Sequence, residues 1–454
     1  MILLNWLPEI FLLLLIFSTL IVMNFKVLTH RSLSVFVAIF STFGLAYFLT
    51  RVDLAYFESP IRLIVSDSLS RFGRLLSLGS LIVFSLGFHF HKKLNFQAKQ
   101  DSNLFLIFYS FFMMMLFQAN SVVLLLVCGL GIYLTAMNLI LIESGKAAHW
   151  LTLFRQRALP VALWAVLVSF LFVLGCHLFG SVYLSDWVLG FSKYSGATLS
   201  LFVFAFLVLL VNAIPMGGIQ YVGEAPVGIA LFAFSLFLVM ASFWFRLGVP
   251  FFSSSSLLSK GMAQSLISIL IGGFALRYAW YMIHTREHHR WFSSALPTLV
   301  GLSLFLILLP GEQALSAFYC ISVSLLFSFA FISHAFLSQD YKNKVSLIFS
   351  VTALVGLPPL ILGEQFYRVI HDTVTAGNVL AGILMAVSWF VLTLGVTQKI
   401  AKIILMRAPS KTHRKIFPSE FFFLGIYLMC VISLTIFRVE FVTFLNEHPA
   451  LNLW

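Results

Sequence analysis

Glu364, Gln365 and Arg368 are the side chains of this sequence best placed to do chemistry, because they stand in an interrupted apolar segment. From Ala353 to Arg368 the chain reads A-L-V-G-L-P-P-L-I-L-G-E-Q-F-Y-R, between apolar runs that begin near Val345 and Val379. Pro358 and Pro359 remove backbone donors and prevent a regular helix there. At membrane depth, non-helical backbone is tolerated only where protein or a water-filled cavity surrounds it, and ionisable groups there mark a functional interior. If helix resumes after the prolines, Glu364 and Arg368 share a face at i, i+4 and can pair. The same two residues also read as an ion pair at the membrane boundary. A second interruption, Val211 to Val227, reads V-N-A-I-P-M-G-G-I-Q-Y-V-G-E-A-P-V. It places Pro215, Gly217, Gly218 and Pro226 beside Asn212. Each break falls in about the fourth span of a five-span group, the sequence pattern of transporters built from repeats.

Other polar groups carry a bland reading beside the chemical one. Arg246, in F-W-F-R-L-G-V-P-F, is either a displaced member of an ion path or a residue that snorkels from a span end. His177 is a further displaced candidate. His284 and His288 have the i, i+4 spacing of a metal pair, but Arg286 and Arg290 surround them without Cys or Asp, which suits a solvated loop. His89 and His91, beside Lys92 and Lys93, read the same way. Cys128, Cys176, Cys320 and Cys430 are scattered through apolar runs without ligand spacing and read as packing residues, so no metal site is expected.

The elements that must position these groups are membrane spans. With 61% hydrophobic residues, 10% charged residues and a mean hydropathy of +1.02, no large soluble domain is left in the composition. Met1 to Met23 has no basic leader, and Pro8 and Glu9 lie in its first turns, so it reads as a first span rather than a cleaved signal. Apolar segments begin near residues 2, 33, 72, 104, 121, 159, 199, 225, 262, 296, 314, 345, 377 and 421, which predicts about fourteen transmembrane helices in an all-α protein. The formal charge of +12 sits in short loops rather than in one groove, which argues topology and not nucleic acid. Odd-numbered loops carry eighteen Lys and Arg residues, and even-numbered ones eight, among them Arg71, Arg74 and Arg246. That asymmetry puts the odd loops on the cytoplasmic or matrix side and both termini on the periplasmic or intermembrane-space side.

With the spans in place, short motifs resemble the antiporter-like membrane subunits of respiratory complex I, specifically subunit N of the bacterial NADH:quinone oxidoreductase and subunit 2 of the mitochondrial one. Leu7-Pro8-Glu9-Ile10 and Val65-Ser66-Asp67 are similar to the family's start and third span. Gln220 to Val227 resembles its Tyr-x-Gly-x-Pro-x-Pro loop, and Arg290-Trp291-Phe292-Ser293-Ser294 the opening of its tenth span. Pro310-Gly311-Glu312 resembles its Gly-Glu turn, and Gly356-Leu357-Pro358-Pro359 with Gly363 and Phe366-Tyr367 its Gly-Ile-Pro-Pro stretch. The pieces keep order and spacing along nearly the whole chain.

The resemblance implies two inverted five-helix repeats with broken helices near Pro215 and Pro358. It divides the chain into an N-terminal three-helix segment (1–103), a first repeat (104–245), a second repeat (246–397) and a basic loop with the last helix (398–454). It implies an integral protein of a bacterial plasma or mitochondrial inner membrane. The partners would be a second antiporter-like subunit, small hydrophobic subunits and lipids, and no nucleic acid. No cofactor is expected on this chain; NADH, FMN, iron–sulphur clusters and quinone would belong to partner subunits of the oxidoreductase.

The departures are informative. Pumping members carry a glutamate in span five, lysines in spans seven and eight, and a lysine or glutamate in span twelve. Carboxylate and lysine in low dielectric shift one another's proton affinity and so pass a proton on. Here those positions fall on Leu130 or Gly131, near Leu210 with Asn212 as the closest polar group, near Leu236, and on Gln365. Leu and Gly carry no proton, and Asn and Gln offer only hydrogen bonds. The expectation is a structural or coupling subunit whose own path has degenerated. A path rerouted through Glu364, Arg368, Arg246 or His177, or a separate cation/proton antiporter, is the alternative.

Overall fold

The computed structural model describes residues 7–25, 30–50, 64–65, 67–90, 96–144, 150–190, 225–249, 257–285, 288–309, 311–337 and 361–405, with Met429, Ile436, Val442, Thr443 and Leu445. Both expected helix breaks, with Asn212, Pro215, Gly217, Gly218, Pro358 and Pro359, lie outside the described residues. So do the span expected near residue 199 and all but those five residues of the one expected near 421.

What is described is helix upon helix, with no strand among the described residues. In chain order the helices are α1 (Leu7–Phe25), α2 (His30–Thr50), α3 (Ser68–Phe90), α4 (Phe96–Gln118), α5 (Val122–Ser144), α6 (Trp150–Phe179) and a short α7 (Leu184–Gly190). Then come α8 (Pro226–Phe243), continued by a π-helical turn (Trp244–Gly248), α9 (Leu257–His284), and α10 (His288–Leu304) with a 3₁₀ turn (Phe305–Leu308). The series ends with α11 (Gly311–Leu337), α12 (Ile361–Thr375) and α13 (Val379–Leu405). Seven described helices are long and apolar enough to cross a membrane, and the protein is an integral membrane protein.

Local chemistry sets several helix ends. Asp67 caps α3: its Oδ1 accepts from the Ser70 amide at 2.8 Å while Ser70 Oγ accepts from the Asp67 amide at 2.8 Å, a reciprocal box that satisfies two otherwise orphaned donors. Ser121 Oγ caps α5 through the Leu124 amide at 3.1 Å. Between α12 and α13 the chain turns on Gly377, whose φ of +87° suits glycine. The Gly377 amide donates to Val374 O and the Asn378 amide to Thr373 O, a Schellman closure, and Asn378 Oδ1 then caps α13 through the Ala381 amide. These two helices are therefore fixed as an antiparallel pair.

The hub is α8. Every residue from Val227 to Gly248 is buried, as suits a helix apolar on all sides. It packs against α4, α5, α10 and α11. Close approach to α5 depends on Gly228, where a Cβ would stand 2.7 Å from the backbone N and Cα of Ile140. An aromatic cluster of Phe72, Phe117, Phe237, Phe245, Phe318 and Tyr319 locks α3, α4 and α11 to the far end of α8.

Several positions assigned to loops by their charge lie in helices, and four of them are buried there, Arg71, Arg74, Arg246 and Lys399, the last on α13. Arg71 and Arg74 lie on α3 and are buried, and Arg246 lies in the π turn at the end of α8, 8% exposed. Arg246 therefore does not snorkel. Charge near the edge of an apolar run reads as loop in sequence, but here helix–helix packing encloses it. The helix that holds Arg246 also runs through the expected boundary at 245/246.

Candidate functional site

Of the positions that the resemblance assigns to relay groups, the one near Leu210 lies outside the described residues, those on α5 and α8 are packed by apolar neighbours, and the one on α12 is a buried amide. On α5, Gly131 lies under the Phe112 ring of α4: a Cβ at Gly131 would come within 2.6 to 2.7 Å of three ring atoms. A glutamate at position 131 would have to push that ring aside, and Leu130, the other position the resemblance allows, is half-buried against the same core. On α8, Leu236 is buried in the middle of the hub helix. On α12, Gln365 is 1% exposed and its Nε2 has no hydrogen-bond partner among the described residues. The one polar step beside Leu236 is neutral: Ser235 Oγ lies 2.7 Å from Leu231 O and 3.2 Å from the Tyr109 hydroxyl, and both Ser235 and Tyr109 are buried.

Charge is instead held at helix ends. Arg246 Nη1 donates to Asp67 Oδ2, Nη2 donates to Asp67 Oδ1 at 3.1 Å, and Nη2 also reaches the Phe117 carbonyl at the end of α4. This two-pronged match fixes both planes and is the strong form of an ion pair. Asp67 thus closes α3 and anchors α8 with the same carboxylate. The π turn that carries Arg246 is a rare element that is frequent at functional sites. Arg71 and Arg74 follow Asp67 on one face of α3 at i+4 and i+7, so positive charge is concentrated around this corner.

At the other end of α8, Glu143 is 7% exposed and accepts from the Val227 amide at 3.2 Å and the Gly228 amide at 2.7 Å. A carboxylate there meets two orphan donors and the positive end of the helix dipole. In the second half of the chain, Lys399 on α13 is 2% exposed and its Nζ donates to Thr285 O, just past the end of α9. A cation there answers the negative helix end.

Glu364 and Arg368 are both on α12, and Arg368 Nη2 lies 2.6 Å from Glu364 Oε1, with the two side chains 34% and 49% exposed. They do not meet Arg246, whose partners are on α3 and α4. Gln365 points to the opposite, buried side of α12. His284 is exposed with Nδ1 near Trp280 O, and no cluster of three His, Cys, Asp or Glu exists among the described residues. Cys128 and Cys320 are buried thiols. Sequence reasoning gave Glu143 no role, counted Lys399 among the basic residues of an odd loop although it is buried on α13, and noted Asp67 only as part of a motif.

No protein-family profile and no curated protein matches the sequence. Solved structures do. A chain of respiratory complex I from Thermus thermophilus with bound NADH superposes with a TM-score of 0.75 at 14% identity, covering 98% of this chain and 97% of that one. The chain has the fold of that complex I chain. A chain of the membrane-bound sulfane sulfur reductase (MBS), an archaeal respiratory membrane complex, gives a TM-score of 0.75 at 12% identity over 98% and 96% of the two chains. A chain of the Mrp complex from Dietzia sp. DQ12-45-1b gives 0.74 at 12% identity over 97% and 96%. Each neighbour is one chain of a larger membrane complex.

Proposed function

We propose that this chain is a membrane-arm subunit of a proton-translocating NADH:quinone oxidoreductase, respiratory complex I, with a structural or coupling role and a degenerate proton path of its own. The observation that carries the degeneracy is the Phe112 ring seated where the Gly131 side chain would be. A chain with the shape of a pump, and with Leu130 or Gly131 where its fifth-span relay group would stand, is suited to transmitting or bracing, not to conducting. Redox chemistry, with NADH, FMN, iron–sulphur clusters and quinone, falls to partner subunits. Those partners are a second antiporter-like subunit and small hydrophobic subunits, in a bacterial plasma or mitochondrial inner membrane.

The finer architecture belongs to the same reading: fourteen spans, both termini on the outer side, and inverted repeats over spans four to eight and nine to thirteen, each with a broken helix, at Pro215 and Pro358. A correspondence between the halves supports the repeats. Arg246 stands twenty residues after the first residue of α8, and Lys399 twenty after the first residue of α13. Each donates to a carbonyl at the C-terminal end of the first helix of its repeat, Phe117 on α4 and Thr285 after α9. Of the alternative proton-path candidates, Glu364, Arg368, Gln365, Arg246 and Asn212, we assign Arg246 to bracing.

A blue-native gel of solubilised membranes, stained for NADH dehydrogenase and probed for this chain by mass spectrometry, tests the proposal. Presence in the active high-mass band is the expected result. Migration alone, or with antiporter-like chains and no dehydrogenase, gives the reading to a cation/proton antiporter, which the likeness to the Mrp complex chain favours next.

A further inference from the structure

Helices α12 and α13 run side by side through the same depth yet expose opposite chemistry. The outward positions of α13 are Leu380, Ile383, Val387, Phe390 and Leu394, all apolar, within the candidate span Val379–Lys399. That is a lipid-facing surface. The outward positions of α12 are Glu364, Tyr367, Arg368, His371 and Val374, one stripe at i, i+3, i+4, i+7 and i+10 that is apolar only at its last member. Tyr367 is 61% exposed. The opposite side of α12, with Leu362, Phe366, Val369 and Thr373, is buried and packs on α11 and α13.

The Schellman turn and the Asn378 cap set the depth. The apolar span of α13 starts at the residue after Asn378, so that turn marks a membrane surface. At 1.5 Å rise per residue, Arg368 lies about 15 Å and Glu364 about 21 Å beneath it, near the middle of a hydrocarbon layer about 30 Å thick. Charged groups at that depth, turned outward, do not face lipid tails; they face protein or water. An ion pair spanning one helical turn, flanked by an aromatic ring and an imidazole, supplies donors and acceptors to a neighbouring helix.

We infer that the outer stripe of α12 is the docking surface for a transmembrane helix of a neighbouring subunit, one that presents hydrogen-bonding side chains opposite Glu364 and Arg368. The inference deepens the membrane-arm reading, on which it rests for the existence of a neighbouring subunit, and it locates that contact on one helix face.

The test is site-specific photo-crosslinking in intact membranes, with benzoylphenylalanine replacing Tyr367 and, as the reference, Phe390 of α13. The expected result is an adduct between position 367 and another membrane subunit of the same assembly, identified by mass spectrometry, and lipid adducts alone at position 390. Arg368→Leu is expected to reduce the subunit adduct at least tenfold while the chain stays in the membrane at its normal level. Lipid adducts or adducts within this chain at position 367 overturn the inference, as does labelling of Tyr367→Cys by an impermeant maleimide in the intact assembly. If the chain co-migrates with dehydrogenase activity and position 367 labels lipid, only the docking surface falls. If position 367 captures a subunit of an assembly without dehydrogenase, the surface stands and the complex I reading falls.

Discussion

The two ends of α8 and its middle follow opposite rules. At the ends, Glu143 and Arg246 are ionisable, buried and answered by backbone amides, a carbonyl or a carboxylate. In the middle, Leu236 and the neighbouring Gly131–Phe112 contact are apolar and close-packed. A buried charge persists only where helix termini or an opposite charge replace its water. A relay group in mid-membrane has no helix end to lean on and is retained only by the work it does. The difference between these regions is what the proposed reading, a fold kept and a conduction path lost, requires.

The sharpest way to break that contrast is at Arg246. Arg246→Ala leaves the mostly buried Asp67 carboxylate with the Ser70 amide but without its cationic partner, and is expected to cost about 3 kcal/mol. Thermal unfolding of the detergent-solubilised assembly should show a correspondingly lower midpoint. The double variant Asp67→Asn with Arg246→Gln should recover part of the loss, because no uncompensated charge remains. Equal loss in the single and double variants would mean that the pair does not brace α8.

In the middle of the membrane, Gly131→Ala is expected to cost about 1–3 kcal/mol by forcing the Phe112 ring aside. Adding Phe112→Ala should relieve it, so the pair is non-additive. If Gly131→Ala is silent by itself, the ring leaves room for a larger side chain and the relay position is not closed.

How far these features were legible depends on where their partners lie in the chain. Composition and apolar run length were enough for an all-helical membrane protein, because spanning a bilayer demands both. The caps at Asp67 and Asn378 are local patterns, three residues from donor to acceptor, and could have been read. Glu143 and Lys399 could not: their partners lie 84 or 85 and 114 residues away. A charge at the edge of an apolar run looks the same in sequence whether water or another helix covers it. That ambiguity sent Arg71, Arg74, Arg246 and Lys399 to loops and left Glu143 without a role.

Glu143 offers a gentler probe of the charged ends. Glu143→Gln keeps an acceptor for one of the two α8 amides but removes the charge that faces the helix dipole, an expected loss of about 1 kcal/mol. Glu143→Ala, which orphans both amides, should cost about twice that in the same melting experiment. A glutamine variant as damaged as the alanine one would show that charge, rather than hydrogen-bond satisfaction, holds α5 to α8.

The smallest effect is expected where the contrast is least marked. Gln365 is a polar remnant on the buried side of α12, with a donor that no described residue satisfies. A buried unmet donor costs about 1–3 kcal/mol, so Gln365→Leu should be neutral or slightly stabilising. If the path is closed, it should also leave the proton-to-electron ratio of the assembly unchanged in reconstituted vesicles, as should Gln365→Ala and Asn212→Ala. A fall in that ratio with assembly intact would mean that water reaches the Gln365 amide and that protons still cross this chain. In that event the apolar contact of Gly131 with Phe112 would close only one half of it, and conduction would have to run through the second repeat.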